Sequence, residues 1–243
     1  MPDDPGSPGP RAQLAAYVDQ GQAVLDPGQA GPALKTDGIG LTRRPWGPLA
    51  PKERVASLLD ESGGFYPHER IPDLLAAARI EEVELEFRAQ LAAVTDAGLT
   101  PGHLDWHCLA DGGRPDIFDL TMALAGEHGL AVRAWLDPSR QKLRARGLPA
   151  IEHDFLDSFS LDLDDRAEAY ARLLRELPPG LSEWAVHPGL DDADARAADP
   201  GGWPVRHGDH AFLTSPRARE LVRREGITVI GYSALRRVWA EHS

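Results

Sequence analysis

An alternation of two periodicities constrains this chain more than any other feature. From residue 102 onward, short apolar runs take turns with segments of helical spacing: a strand over 102–107, a helix over 115–128, a strand over 130–136 and a helix over 138–146. The order resumes with a helix over 164–177, a strand over 181–186, a helix over 216–225, a strand over 227–230 and a helix over 233–240. Strands separated by helix-length connections lie parallel, because a tight hairpin cannot join them and the helix crosses back over the sheet. Ahead of them, Val83, Phe87, Leu91 and Val94 recur at helical spacing until Gly98 ends the run, which predicts an amphipathic helix. At 243 residues the chain can bury the core of one α/β domain of the barrel type.

The N-terminal part reads differently. Residues 1–50 hold eight Pro and eight Gly, a share above the roughly 25–30% associated with low-complexity segments. This predicts an irregular Pro/Gly-rich segment over 1–45, with a short helix around 11–25, ahead of an α/β domain over 46–243. Charge narrows the partners: 38 acidic against 26 basic side chains leave a net charge of −12. That argues against nucleic acids and anionic membranes, which are held by clustered Lys and Arg. A single cysteine, Cys108, cannot form an internal disulfide, and no apolar run is long enough to span a membrane or serve as a signal peptide. The expectation is a cytoplasmic protein.

Chemistry concentrates in His103-Leu104-Asp105-Trp106-His107. Alternate residues of a strand share a face, so His103, Asp105 and His107 project to one side, two imidazoles and a carboxylate for one divalent metal or one reacting group. The alternative is a set of buried, hydrogen-bonded strand residues. His107 and His187 both close a strand, and functional side chains of parallel α/β folds gather at such C-terminal ends. Asp191, Asp192 and Asp194 read as a solvated loop.

Several segments, in order, resemble the YdjC-like carbohydrate deacetylases. Pro101-Gly-His-Leu-Asp-Trp-His107 is similar to the family's Pro-Thr-His-Leu-Asp-Ser-His. The likeness also includes Trp46-Gly-Pro-Leu-Ala-Pro51, Ser57-Leu-Leu-Asp60 with Gly64-Phe65, Glu183-Trp-Ala-Val-His-Pro-Gly189, Arg206-x-x-Asp209 and Phe212-Leu-Thr-Ser-Pro216. The resemblance implies a barrel-like α/β fold, removal of an N-acetyl group from a sugar or oligosaccharide, and a divalent metal, magnesium with zinc or manganese as alternatives. It makes His107 a metal ligand, with His103 beside it in the motif as a second candidate.

Two further ligands are implied, from an Asp-Asp pair ending the first strand and a histidine in a Gly-x-His-Leu-Thr-Leu segment. Counted back from Trp46, Gly31-Pro-Ala-Leu-Lys-Thr36 offers Ala33 at the histidine's place, and Asp3-Asp4 follow no apolar strand. A first strand missing or altered is therefore expected, with an open edge that invites pairing with a second copy of the chain. The competing reading is a catalytically impaired paralogue or N-terminally altered fragment that keeps a sugar cleft. A phosphoesterase using the same histidines is weaker, since no Gly-rich phosphate loop is present. In the deacetylase reading His187 is the general acid and Asp105 orients a histidine or the attacking water. Arg206, Asp209 and Trp106 contact the sugar, with Trp184 a second stacking candidate.

Overall fold

The structure, a computed structural model, describes residues 12–18, 38–40, 47–107, 110–154 and 156–241. Its contacts divide the chain into two interleaved units, Met1–Gln20 with Ala150–Tyr232, and Gly21–Pro149 with Ser233–Ser243. Among the described residues seven strands form a four-stranded and a three-stranded sheet, and every strand pairing is parallel. The expected parallel α/β class is therefore observed. The described pairings do not close either sheet into a barrel.

The first unit corrects the reading of the N-terminus. A strand, β1 (Ala12–Val18), occupies the stretch expected to be helical and lies between two later strands, β6 (Gly180–Val186) and β7 (Thr228–Ile230). Its register runs from Ala12 opposite Gly180 to Val18 opposite Val186. The first strand is thus present and not missing. The short β5 (Leu156–Asp157) completes the order β5-β6-β1-β7.

Three helices of this unit, α5 (Arg166–Arg175), α7 (Trp203–Leu213) and α8 (Pro216–Arg224), contribute to a core of Tyr170, Leu174, Phe212 and Leu221 with Trp184 and Val186 of β6. Tyr170 sets edge contacts to Trp184 and Phe212 at 4.9 and 5.1 Å between ring centroids. Trp184 is therefore a core residue, not an open stacking surface. Glu183, next to it on the alternate side of the strand, is fully buried and accepts from the Tyr232 hydroxyl at 2.8 Å. A short helix, α6 (Ala193–Ala198), occupies the stretch read as a loop, and Asp192 caps it by accepting from the Ala195 N–H.

The second unit contains α1 (Ile71–Ala77), α2 (Ile80–Asp96), α3 (Pro115–His128), α4 (Asp137–Ala145), α9 (Tyr232–Glu241, from Ser233 on) and the sheet β2 (Gly38–Gly40), β3 (His103–His107), β4 (Ala131–Val132). The helical spacing holds: Val83, Phe87, Leu91 and Val94 of α2 are all buried. Buried Glu86 on the same helix accepts from the backbone N–H groups of Leu49 and Ala50 at 3.1 and 2.9 Å, fastening the segment ahead of it.

The end of α3 sets the start of β4. Gly129 takes the left-handed conformation (φ 60°) that a β-carbon disfavours, and Leu130 N–H returns to Ala125 O at 2.8 Å. The expected strand over 130–136 shrinks to two paired residues, because Trp135 and Leu136 give their N–H groups to the Asp111 carboxylate at 3.1 and 3.0 Å instead of to a neighbouring strand. Of the described residues, no helix is long and apolar enough to cross a membrane.

Candidate active site around His187

His187 follows directly on β6, where the parallel strand ends and Pro188-Gly189 turn the backbone away. It is half-buried, and its environment is assembled from three further segments of the same unit. Asp209, on α7, is completely buried. Its Oδ2 accepts from the His187 backbone N–H and from the Ser158 hydroxyl, both at 2.7 Å, while Oδ1 accepts from the Tyr170 hydroxyl. The Ser158 Oγ in turn lies 3.3 Å from His187 Nδ1.

Buried Arg166 closes the network. Its guanidinium donates to Tyr170 Oη at 2.7 Å and to the Ser158 carbonyl at 2.6 Å, and stands 3.9 Å from Asp209. Gly208 is what lets it pass: a β-carbon there would lie 2.7 Å from Arg166 Cδ. Burial, and then the Asp209 carboxylate, push the Tyr170 phenol well above its ordinary value, so it stays a donor. Each carboxylate oxygen of Asp209 thus receives at least one hydrogen, which is what makes a fully buried carboxylate tolerable.

The open side of His187 has a different composition. The Phe159 ring meets the imidazole edge-on at 4.8 Å and is 42% exposed. Arg206 lies with its guanidinium carbon 5.6 Å from the Phe159 ring centre and pairs with Asp199 at 2.9 Å, both side chains partly exposed. An imidazole held from behind by buried polar groups and flanked by an accessible aromatic and a cation can move a proton to or from a polar ligand.

The sequence-derived candidates separate here. His187, Asp209 and Arg206 come together, but Asp209 is sealed from solvent, so it holds the histidine's backbone and is not a sugar contact. Trp106 is likewise corrected: it is 1% exposed, stacks on Phe118 at 5.5 Å and gives its indole N–H to Thr121 at 3.0 Å, which makes it core.

Among the described residues, Asp105 pairs with Arg133. Both its oxygens lie 3.1 Å from one nitrogen of Arg133, in an ion pair with each side chain 8% exposed. His103 is also buried, at the opposite end of β3 from His107. Residues four apart on a strand share a face but stand about 13 Å apart along it. Burial, and secondarily the Arg133 charge, hold the His103 ring down to about 3. Ser158, Phe159, Arg166 and Tyr170 escaped the sequence reading; only the i,i+4 spacing of Arg166 and Tyr170 on one helix hinted at a pair.

The metal ligands implied by the resemblance can be set against the strands. The first strand ends at Val18, so the acid next in sequence is Asp19, outside the described residues, as are Asp3 and Asp4. β2 pairs with β3 so that Gly40 stands opposite His107. Ala33, read at the histidine's place, lies outside the described residues. The side chain of His107, like Cys108, lies outside the described residues. Among the described residues no three His, Cys, Asp or Glu side chains gather to hold a metal ion.

Comparison with known proteins follows the same outline. A family model described as YdjC-like protein matches residues 12–224, beginning at β1. A carbohydrate deacetylase of Thermus thermophilus is 30% identical over 232 residues, covering 87% of this chain and 84% of that protein. One from Thermoanaerobacter pseudethanolicus is 27% identical, covering 82% and 77%. A crystal structure from Enterococcus faecalis, described as a candidate cellobiose-phosphate cleavage protein, superposes with a TM-score of 0.70 at 20% identity, over 93% of this chain and 99% of that one.

Proposed function

The chain belongs to the YdjC-like protein family, and from that premise we propose that it is a carbohydrate deacetylase hydrolysing the N-acetyl group of a sugar or oligosaccharide. The likeness to proteins of that name over most of the chain carries the reading. His187 supplies the chemistry it needs, since it is the titratable side chain at a strand's C-terminal end that the network of Asp209, Ser158, Tyr170 and Arg166 holds in place.

In this reaction water adds to the acetyl carbonyl carbon, the C–N bond breaks, and acetate and the free amine leave. The amine nitrogen needs a proton to depart, and protonated His187 gives it. Phe159 offers its accessible ring to an apolar sugar face, and Arg206 its guanidinium to hydroxyl or carbonyl oxygens. A divalent ion, magnesium or alternatively zinc or manganese, belongs to the same proposal. Bound through His107, it would polarise the carbonyl.

The test is acetate release from N-acetylated mono- and oligosaccharides by the purified chain, with and without added magnesium, zinc or manganese. Release that depends on an added metal, together with loss of about 10²–10⁴-fold in kcat for His187→Ala, supports the proposal. No release with any substrate at saturating metal overturns it.

A further inference from the structure

Asp209 serves as the carboxylate partner of His187 without a contact to either ring nitrogen among its hydrogen bonds: Oδ2 is taken by the His187 backbone N–H and the Ser158 hydroxyl, and Oδ1 by Tyr170. Among the described contacts, Ser158 reaches the ring, with Oγ 3.3 Å from Nδ1. A serine hydroxyl carries one hydrogen and two lone pairs. Here two acceptors compete for that hydrogen, a carboxylate at 2.7 Å and an imidazole nitrogen at 3.3 Å. The charged acceptor at the shorter distance wins. Ser158 then faces Nδ1 with a lone pair, and the contact is attractive only if Nδ1 carries a hydrogen.

We propose that Ser158 is a positioning residue that relays Asp209 to His187 and holds the neutral imidazole in the Nδ1–H tautomer, so that Nε2 is the nitrogen that exchanges a proton with substrate. The proposal rests on the reading of His187 as the proton donor, and names the atom that donates.

Three features hold the relay in this sense. Tyr170 keeps its hydrogen and spends it on Asp209 Oδ1, leaving Oδ2 to the other two donors. Arg166 holds the Ser158 backbone through its carbonyl and the Tyr170 hydroxyl through its oxygen, fixing both donors at once. Asp157 accepts from the Phe159 N–H at 2.9 Å and closes the turn in which Ser158 sits.

The experiment is a two-bond ¹H–¹⁵N imidazole spectrum of the full ¹⁵N-labelled chain at a pH where His187 is neutral, with its signals assigned by their loss in His187→Gln. The expected pattern is a protonated, pyrrole-type Nδ1 and a bare, pyridine-type Nε2. A proton on Nε2, or an even mixture, overturns the assignment, and this measurement needs no variant at Ser158.

Ser158→Ala, checked for native circular dichroism, is expected to shift the tautomer ratio toward Nε2–H by about five- to tenfold, the reach of one ordinary hydrogen bond. It lowers kcat for acetate release while KM stays, and Ser158→Thr recovers both. A folded Ser158→Ala with an unchanged spectrum overturns the proposal. The hydrogen on Nδ1 in a chain that releases no acetate keeps the Ser158 assignment and sinks the deacetylase reading. Acetate release with the hydrogen on Nε2 does the reverse.

Discussion

His187 and His103 both lie at the ends of parallel strands and within two residues of a buried acid or its partner network, yet they differ in almost every physical respect. His187 follows the C-terminal end of β6, half-buried, with a polar network behind it and an exposed Phe159 beside it. His103 opens β3 at the N-terminal end, 4% exposed, its ring held down to about 3 by burial and then by Arg133. Polar side chains in the two places solve different problems. Around His187 the hydrogen bonds converge on an imidazole that still reaches the surface. Around Asp105 and Arg133 they pair two buried charges. Position along the strand, more than residue type, separates a candidate catalytic histidine from a structural one.

The comparison can be broken first by removing the acids. Asp209→Ala strands the Tyr170 and Ser158 donors and the Arg166 charge in the interior, and is expected to cost about 3–5 kcal/mol in urea unfolding as well as activity. Asp105→Ala leaves Arg133 buried without its carboxylate and costs a comparable amount, but Asp105→Leu combined with Arg133→Met should return to within about 1–2 kcal/mol of the parent. If that double variant is no more stable than Asp105→Ala alone, the pair is more than a satisfied charge and the contrast with His187 weakens.

A second effect is smaller and sharpens the role of His103. The unfolded chain binds a proton at this histidine below its ordinary value near 6.5, and the folded chain binds it only near 3. The stability it contributes is therefore complete above 6.5 and is lost as pH falls toward 3, by at most about 1.4 kcal/mol per pH unit. His103→Gln should flatten the acid limb of the unfolding curve in that window. An unchanged slope would mean that His103 is charged in the folded protein. The smallest effect is expected at the surface: Phe159→Ala should raise KM for a sugar substrate severalfold and move the unfolding midpoint little, since the ring is 42% exposed.

How much of this was legible in the sequence follows from where the information lies. The spacing of Val83, Phe87, Leu91 and Val94 gave α2, and α3 runs over Pro115–His128 as its Pro start and Gly stop predict. β1 was misread as helical, because Ala12-Gln-Leu-Ala-Ala-Tyr-Val18 contains a single β-branched residue in a Pro/Gly-rich setting. It is a strand through its pairing with β6 and β7, so tertiary context overrides propensity there. The alternation in β3 placed His103 and Asp105 on one face but said nothing of the distance along the strand or of Arg133, which follows β4. The network at His187 draws on residues 158, 166, 170 and 209, spread over separate elements, and no local pattern announces it. Arg206 and Asp209 were singled out as sugar contacts, and only burial tells the partly exposed residue from the sealed one.

The most direct test of the central claim compares the two histidines in one assay. Acetate release from an N-acetylated oligosaccharide is measured for the parent chain, His187→Gln and His103→Gln, each normalised to folded protein. The account predicts that His187→Gln loses at least about 100-fold in kcat while His103→Gln keeps the parent rate. Equal activity in His187→Gln and the parent, or a loss in His103→Gln as large as that in His187→Gln, would contradict it.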